Sequence, residues 1–383
     1  MKKSVKKVVA AAMTAALAFG MFAMAGCSSQ PTSTSGSTAT SSSAATQTAT
    51  YEISDEMENL TVSTFGKDIK IAAMIVADQE GFLEEEGVTL NYETMANFSD
   101  AVTGLSEGRI DVLPFGMIPT CTFVSQGVEN LCVFGGTIAE GSECITLPEN
   151  KDKFTKLEDF ADAKIAYFPM ETGHIVMQGL MAEAGTYNPD NWVIMSDQSS
   201  EVQAVLKGDV DCCFVNSGYG YMAEQQGAAV SMHVGDLQPD FPCCRQTTST
   251  EVMENHSSAL VKLLIGELRG MAFMETNKAQ AIKDLAAYSG QSEEYCENVI
   301  FSTDSYTTPM IVEMDPYTDA VCEFYNTMKV TGNIDENTPY EMQDHVNSSM
   351  YKFALDTLID RGENVDFYNR LLATYEEHNT IGA

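Results

Sequence analysis

Residues 164–184 read KIAYFPMETGHIVMQGLMAEA, and this stretch predicts a strand, a turn and a helix in succession. Residues 165–168 form a short apolar run, Pro169 ends it, and apolar residues then recur at helical spacing. A helix that starts within residues 171–174, with Thr172 as its cap, would direct unpaired backbone N–H groups beyond the carboxyl end of the strand. The turn therefore indicates a site for a small polar or anionic ligand, although an ordinary strand-to-helix connection would show the same pattern.

The same alternation extends over most of the chain. Predicted strands are residues 60–65, 88–92, 110–115, 131–137, 164–168, 192–195 and 210–215, and predicted helices between them are 69–80, 97–105, 119–127, 173–184, 200–206 and 218–226. Strands separated by single helices predict βαβ units and mainly parallel sheets. The final part of the chain is predicted as helices, at residues 254–273, 278–288, 293–300, 317–328, 340–356 and 367–377.

A local pattern occurs once in each half. LSEGRID at residues 105–111 and VLKGDVD at residues 205–211 both end a helix at glycine and open a strand, which stops at Gly116 in one half and at Asn216 in the other. Two similar halves predict two lobes with a cleft between them, lined by loops from the carboxyl ends of both sheets. We expect the chain to cross between the lobes near residues 147–150 and 240–245.

The amino terminus predicts export and anchoring. MKKSVKK precedes an apolar run and small residues immediately before Cys27, which is the pattern of an export signal rather than of a membrane span in the mature protein. The preceding residues, Met-Ala-Gly, resemble the lipobox of bacterial lipoproteins, so we expect loss of residues 1–26 and lipidation of Cys27. Residues 27–50 then form a Ser/Thr-rich tether that has too few apolar side chains to fold.

The charge of the chain excludes some partners. It carries 55 acidic and 21 basic residues, a formal charge of −34, and loss of Lys2, Lys3, Lys6 and Lys7 with the signal leaves 17 − 55 = −38. Such a charge argues against binding nucleic acid and against electrostatic binding to an anionic membrane. It does not exclude an anionic ligand, because backbone amides and one or two buried cations decide the charge of a closed pocket.

Nine cysteines follow Cys27, and none forms a C-x-x-C pair that would suggest zinc. An odd number in an exported protein means that at least one is free or intermolecular. Buried free thiols are the preferred interpretation, and we predict no metal and no cofactor.

Several segments in order resemble a known family. They are GFLEEEGVTL at residues 81–90, EGRID at 107–111, FGMIP at 115–119, LEDFADAKIAYFP at 157–169 and GDVD at 208–211. This series is similar to the solute-binding proteins of ABC importers for nitrate, sulfonates, taurine and thiamine-pyrimidine precursors.

The resemblance implies an α/β, periplasmic-binding-protein-like (type II) fold with a hinge between two lobes and a helical C-terminal extension. Lobe 1 would comprise residues 51–148 and 245–334, lobe 2 residues 149–244, and helices within 335–383 would pack on lobe 1. The implied protein is a monomer without enzymatic activity that delivers a small molecule to an ABC importer permease. The family's pocket loops correspond here to Gly66, Lys67, Asp68, Gly116, Met117, Thr172, Gly173, His174, Asn216 and Ser217.

Three further residues have charged or titratable side chains that bear on the pocket. Arg245, at the predicted second crossing, is the best candidate for a fixed positive charge in the pocket, but it could equally join the two lobes by a salt bridge. His174 could simply be a surface histidine. Glu171 replaces a small residue that is frequent in the family, and it predicts a ligand that is neutral, zwitterionic or weakly anionic at its lobe 2 end.

Two other functions remain open from the sequence. Some eukaryotic members of the family make the thiamine pyrimidine in an iron-dependent reaction with a cysteine-rich segment, of which Cys212-Cys213-Phe214 is a weak counterpart. A third possibility is a ligand-sensing receptor lobe that acts through a separate partner.

Overall fold

The computed structural model of the protein describes residues 50–381. The signal sequence, Cys27 and the tether up to residue 49 lie outside the described residues. Ten strands are found in this part of the chain: β1 Glu58–Thr64, β2 Val88–Thr94, β3 Leu131–Glu140, β4 Ser142–Thr146, β5 Ile165–Tyr167, β6 Trp192–Ile194, β7 Cys212–Asn216, β8 Ala229–His233, β9 Pro242–Ser249 and β10 Met310–Val312.

Helices account for most of the remainder of the described residues. They are α1 Ala72–Gln79, α2 Phe82–Glu85, α3 Phe98–Ser106, α4 Met117–Ser125, α5 Thr172–Glu183, α6 Gln198–Lys207, α7 Tyr219–Gln225, α8 Thr250–Asn255, α9 Ser257–Thr276, α10 Lys278–Ser289, α11 Glu293–Phe301, α12 Thr318–Val330, α13 Ser349–Arg361 and α14 Val365–His378. None of the helices within residues 50–381 is both long and apolar enough to cross a bilayer.

The first group of strands forms two small sheets. Strands β1 and β2 are parallel, and β3 lies between β9 and β10, antiparallel to both. The predicted strand at residues 110–115 is not a regular strand, because only Val112 and Leu113 make isolated bridges, to Val62 and Thr247. Pro114 follows them directly and has no N–H with which to continue a ladder.

The second group forms one five-stranded sheet in the order β6-β5-β7-β4-β8. Its β5 is parallel to β6 and β7, as βαβ units require, but β4 is antiparallel to both β7 and β8. The prediction of mainly parallel sheets is therefore wrong for much of the protein. The antiparallel strands β4, β8, β9 and β10 are not among the predicted strands. Every residue of β4 and β9 is buried, so neither shows the alternation of polar and apolar residues that marks a half-exposed strand.

The chain passes between the two groups of strands earlier than expected. The boundary expected after residue 148 would leave β4 with lobe 1, whereas β4 pairs inside the five-stranded sheet. The passage lies instead at Glu140 and Gly141, which have φ angles of 56° and 84°. Two successive left-handed residues turn the chain sharply enough to leave β3 and enter another sheet at once.

The return passage lies beside the first. Asp240 also has a left-handed φ, 59°. Its N–H donates to Glu140 Oε1 at 3.0 Å, and the Glu140 N–H donates to the carbonyl of Phe241 at 2.9 Å. The two passages are therefore hydrogen-bonded to each other.

Helix α9 forms the centre of the larger core. It was predicted as an amphipathic helix at residues 254–273, but every residue from Ala259 to Leu268 is buried. Its neighbours are α1, α2 and α13, and α13 also packs against β3 and α14. The helix is covered on all sides, which is why it tolerates an apolar residue at almost every position.

Candidate functional site

The helix α5 is capped by the side chain of Glu171. Its Oε1 accepts a hydrogen bond from the Gly173 N–H and its Oε2 accepts one from the His174 N–H, both at 2.8 Å. The prediction that Thr172 caps this helix is wrong, because Thr172 is the first helical residue. Glu171 already occupies the N–H groups that were expected to face a ligand, so an anion cannot use them.

Glu171 places a negative charge beneath this turn. Burial alone would raise the pKa of Glu171, but the neighbouring His174 and the hydrogen bond from the Gly173 N–H hold it below its ordinary value. The turn also packs tightly on β4, because a Cβ at position 173 would collide with the Ser142 hydroxyl. The start of α5 therefore combines a fixed carboxylate with very close packing.

His174 is buried and is not a surface residue. Its ring lies against that of Tyr167 with centroids 4.6 Å apart, and its Nδ1 is 3.7 Å from Glu171 Oε2. Neither ring nitrogen has a hydrogen-bond partner among the described residues. These contacts are all within the second group of elements, and His174 does not line the cavity described next.

A cavity of about 190 Å3 lies between the loop that follows β1 and the loop that follows β7. Because β1 and β7 belong to different sheets, both groups of strands contribute to its wall. The lining residues are Phe65, Lys67, Asp68, Ile69, Lys70, Ser217, Tyr219, Met222, Gln291 and Tyr295. The structure thus brings three predicted site residues, Lys67, Asp68 and Ser217, to one cavity.

Lys70 provides a partly buried positive charge in this wall. Asp68 accepts a hydrogen bond from the Lys70 N–H at 2.9 Å, and its carboxylate lies 3.8 Å from Lys70 Nζ. Burial alone would lower the pKa of Lys70, but Asp68 and the thiols of Cys244 and Cys243 hold it above its ordinary value. Lys67, by contrast, is exposed and lies over the ring of Tyr288 at 4.7 Å.

Gly116 and Met117 begin the helix α4. Gly116 has a φ of 67°, and a Cβ there would approach the Phe98 ring to 2.9 Å, so the position requires glycine. Met117 is completely buried, and α4 begins two residues before Pro119, where the start was predicted. The backbone of Gly116 helps to lower the pKa of the nearby Cys244 thiol.

Asn216 and Ser217 lie at the end of β7. The Asn216 N–H donates to Gln198 Oε1 at 2.6 Å, and the Ser217 N–H donates to the carbonyl of Gly141 at 2.8 Å. The Ser217 hydroxyl is buried without a partner among the described residues. A hydroxyl in that situation is available to a ligand.

Arg245 lies in a different environment from the cavity. It is completely buried in β9, and its Nη1 donates to the carbonyls of Ile138 at 2.7 Å and Cys244 at 2.9 Å. Its guanidinium carbon lies 4.7 Å from the centre of the Tyr317 ring. No salt bridge of Arg245 is found within residues 50–381, and the structure does not bring Arg245 to the cavity with Lys67, Asp68 and Ser217.

Sequence reasoning missed three residues near the remaining predicted loops, namely Lys70, Cys243 and Cys244. Both cysteines lie close enough to Lys70 to feel its charge, and Cys243 lies near Thr172. The adjacent cysteines were the only signal available for this position, and the chain has a second such pair at Cys212-Cys213. Sequence alone could not choose between the two pairs.

A larger cavity of about 480 Å3 lies elsewhere, between β8 and the segment that precedes β10. It is lined by Lys151, Glu224, Val230, Ser231, Met232, His233, Asp236, Asp304, Ser305, Tyr306 and Thr307. None of the predicted site residues is among them. We therefore base the candidate site on the smaller cavity, where loops of both groups of strands meet.

The cysteines of the described part of the chain do not form disulfides. All nine cysteines there are free, and eight of them are buried, which confirms the interpretation as buried thiols. Within residues 50–381 no group of three or more His, Cys, Asp or Glu side chains is arranged to hold a metal ion.

Solved structures with the same fold include two binding proteins. The aliphatic sulphonate binding protein SsuA from Escherichia coli is 15% identical, with 76% of this chain and 92% of that chain covered and a TM-score of 0.62. The nitrate-binding protein NrtA from Synechocystis PCC 6803 is 14% identical, with coverage of 79% and 89% and a TM-score of 0.63.

The same fold also occurs in a protein named as an enzyme. The desulfurization enzyme DSZB is 14% identical, with 78% of this chain and 99% of that chain covered and a TM-score of 0.55. These likenesses establish the periplasmic-binding-protein fold that the resemblance implied. No curated protein matches the chain.

A family sequence profile shows to which family the chain belongs. The profile described as NMT1/THI5 like matches residues 68–281, which is more than half of the chain. The matched range contains Asp68 and Ser217, which line the cavity, and the loops at Gly116 and Thr172. The chain belongs to the NMT1/THI5-like family.

Proposed function

We propose that this protein is an extracytoplasmic, lipid-anchored solute-binding protein that captures a small molecule between two lobes and delivers it to an ABC importer permease. The observation that carries the proposal is the cavity between the loops after β1 and β7, because it is walled by both groups of strands. Open α/β sheets bind ligands at the carboxyl ends of their strands, and both loops lie at such ends. The binding proteins for sulphonate and nitrate with the same fold support this function.

The ligand class follows from the charges and rings of the wall. Lys70 is balanced by Asp68, and Glu171 blocks the first N–H groups of α5, so the site does not favour a divalent anion. Phe65, Tyr219 and Tyr295 supply aromatic surface, and the Ser217 hydroxyl supplies an unpaired polar atom. We infer a neutral or zwitterionic molecule with an apolar or unsaturated part.

Lobe movement is part of the proposal. A cavity of about 190 Å3 is smaller than most ligand pockets, which run to roughly 300–1,000 Å3. The lobes would therefore open to admit the ligand and close over it. We place the lobe boundaries at the passages near residues 140–141 and 234–241, with residues 335–383 packed on lobe 1.

Anchoring and stoichiometry are proposed from the sequence. Lipidation of Cys27 would hold the domain at the outer face of the cell membrane through the tether, and a single chain would carry the whole site. Binding without catalysis is the preferred function, because the contacts of the residues that line the cavity do not give any of them a role in a reaction. The alternative of an enzyme rests on the fold shared with a desulfurization enzyme and on the weak counterpart at Cys212-Cys213-Phe214.

A ligand screen tests this function directly. Purified protein is mixed with sulfonates, nitrate, carboxylates, pyrimidines and zwitterionic amines, and the change in Tm is recorded for each. A ligand at 100 times its Kd stabilises the protein by about 2.7 kcal/mol. Each hit is followed by small-angle scattering, which should show compaction, and by mass analysis of the recovered ligand, which should be chemically unchanged. A hit that binds without compaction, or that is recovered as a product, contradicts the proposed function.

A further inference from the structure

Cys243 and Cys244 are neighbours in sequence whose sulfur atoms lie 3.6 Å apart. Side chains of consecutive residues in a regular strand point to opposite faces, which would separate the two thiols. The ladder between β3 and β9 is irregular here, because Cys244 pairs with Ile138 and Pro242 pairs with Ala139, so that Cys243 is skipped. This bulge turns both thiols toward the same place.

The two thiols lie near predicted ligand loops. Cys244 lies near Lys70, which lines the cavity, and near the backbone of Gly116, and Cys243 lies near Thr172. Cys243 is 4% exposed and Cys244 is 5% exposed. The pair is therefore close to the Lys70 side of the cavity and is covered in this conformation.

The two thiols also differ in acidity. The hydrogen bond from Cys243, together with Lys70 and Gly116, lowers the pKa of Cys244 to about 7 against the effect of burial. The same hydrogen bond and burial raise the pKa of Cys243 well above its ordinary value. A thiolate beside a protonated thiol is the arrangement in which thiol–disulfide exchange proceeds at neutral pH.

A matched pair elsewhere in the chain lacks these features. Cys212 and Cys213 are also consecutive and completely buried, but they lie in β7, which pairs in regular register with β4 and β5. Burial raises the pKa of both far above the ordinary value. Adjacent position in the sequence is therefore not enough to produce the arrangement at Cys243 and Cys244.

We propose that Cys243 and Cys244 are a redox-active dithiol near the Lys70 side of the cavity, and that the pair closes reversibly to a disulfide by exchange with a small disulfide when the cleft opens. The Cys244 thiolate attacks one sulfur of the small disulfide, whose S–S bond breaks, and the leaving thiolate takes up the proton that Cys244 had lost. Cys243 then gives up its proton, and its sulfur attacks Cys244 Sγ and expels the second small thiolate, which takes that proton. Two protein thiols are oxidised, and one small disulfide is reduced to two thiols.

The disulfide would be easily reduced again. Consecutive Cα atoms are about 3.8 Å apart, below the range of about 4.4–6.8 Å in which disulfides are unstrained. Strained disulfides have less negative reduction potentials and act as labile, regulatory bonds. Oxidation would also remove the thiolate beside Lys70. Lys70 would then interact only with Asp68 and the ligand.

The experiment uses the full, reduced protein and bis(2-hydroxyethyl) disulfide as the probe. The wild-type protein should lose the mass of two hydrogen atoms, retain no adduct and recover its mass with a reductant. Chymotryptic cleavage after Phe214 separates the two cysteine pairs, and the bond should be found between Cys243 and Cys244. Wild-type protein that keeps both thiols reduced, or that forms the bond at another pair, overturns the proposal.

Variants distinguish the roles of the two sulfur atoms. Cys243→Ser should retain one mixed disulfide on Cys244, because no second thiol can release it, whereas Cys244→Ser should react at least tenfold more slowly than the wild type. The control Cys212→Ser/Cys213→Ser should lose two hydrogen atoms as the wild type does. A Cys243→Ser protein without an adduct, at an unchanged Tm, overturns the assignment of Cys244 as the attacking thiolate.

Protection by ligand is a separate readout that rests on the proposed function. A ligand that closes the cleft should slow oxidation of the pair in proportion to site occupancy. Oxidation that proceeds as described without ligand, but that no cleft ligand slows, supports the dithiol and contradicts capture of ligand by cleft closure. Failure of the exchange itself overturns the dithiol and leaves the binding function intact.

Discussion

The Tyr306 hydroxyl donates a hydrogen bond of 2.6 Å to Glu143 Oε1. Glu143 lies in β4 and Tyr306 in the segment before β10, so this bond joins the five-stranded sheet to the other group of strands. Glu143 is completely buried, and burial raises its pKa to about 8 despite the bond from Tyr306. The carboxyl is therefore largely protonated in the folded protein at neutral pH.

The raised pKa of Glu143 predicts a stability that falls with pH. The Glu143 carboxyl loses its proton near pH 4.5 in the unfolded chain but only near pH 8 in the folded protein. Its contribution to the free energy of unfolding is therefore complete below about pH 4.5 and is lost as the pH rises toward 8. Glu143→Gln should raise the free energy of unfolding by about 2 kcal/mol at pH 8 and by much less at pH 5. Urea unfolding at the two pH values measures the difference. An equal effect of the substitution at both pH values would contradict a raised pKa of Glu143 in the folded protein.

The cap at Glu171 predicts a change in both stability and anion binding. Glu171→Ala removes both acceptors of the α5 N–H groups and should lower the free energy of unfolding by about 1–2 kcal/mol. The same change frees those N–H groups, so a small sulfonate should bind more tightly to the variant than to the wild type. Calorimetric titration with methanesulfonate checks this. Equal or weaker binding to the variant would mean that α5 does not face the ligand.

The position of Lys70 predicts the largest loss of ligand affinity among the lysines of the cavity. Lys70→Met removes a partly buried charge in the wall and should cost about 2 kcal/mol of binding, roughly thirtyfold in Kd for the ligand found in the screen. Lys67→Met is the matched control, because Lys67 is exposed, and its effect should be within about threefold of the wild type. Equal losses for both variants would remove Lys70 from the site.

The burial of Arg245 predicts a structural role. Arg245→Ala removes two hydrogen bonds to backbone carbonyls and leaves a cavity beside Tyr317, so unfolding should become easier by about 3 kcal/mol or more. The Kd for the screened ligand should stay within a few-fold of the wild type at a temperature where the variant is folded. Denaturant unfolding and calorimetric titration together separate the two effects. A stable variant with strongly weakened binding would return Arg245 to the ligand site.

Anchoring by Cys27 predicts a change in location without a change in fold. Cys27→Ser removes the thiol that would carry the lipid, so the protein should leave the membrane fraction while its Tm and far-ultraviolet circular dichroism stay at wild-type values. Membrane fractionation followed by immunoblotting measures the distribution. A variant that stays membrane-bound at the wild-type level contradicts the lipoprotein assignment.

The sequence was informative where local chemistry decides the structure. Turns at Gly116 and Gly208 were predicted from glycine alone, and both residues have left-handed φ angles. The strands β5 and β7 were found because they join βαβ units with clear helices between them. The loops after β1 and β7 were placed at the site because they follow strands in a family with a known arrangement.

The sequence could not predict features that depend on distant parts of the chain. Strand β9 is polar at five of its eight positions yet buried at all eight, because α4, α8 and β3 cover it. From the sequence Arg245 is a candidate for a pocket charge or for a salt bridge between the lobes, since nothing near it in sequence indicates Ile138 or Tyr317. Glu171 and Thr172 are both able to cap a helix, and in the structure the Glu171 side chain forms the cap.

The hydrogen bonds that join Glu140 to Asp240 and Phe241 have a mechanical consequence. The two passages between the groups of strands are hydrogen-bonded to each other, so they act as one short hinge rather than as two independent linkers. A rotation of one group of strands against the other that pivots at these passages can keep both bonds. A permease that contacts both groups would then sense the angle between them.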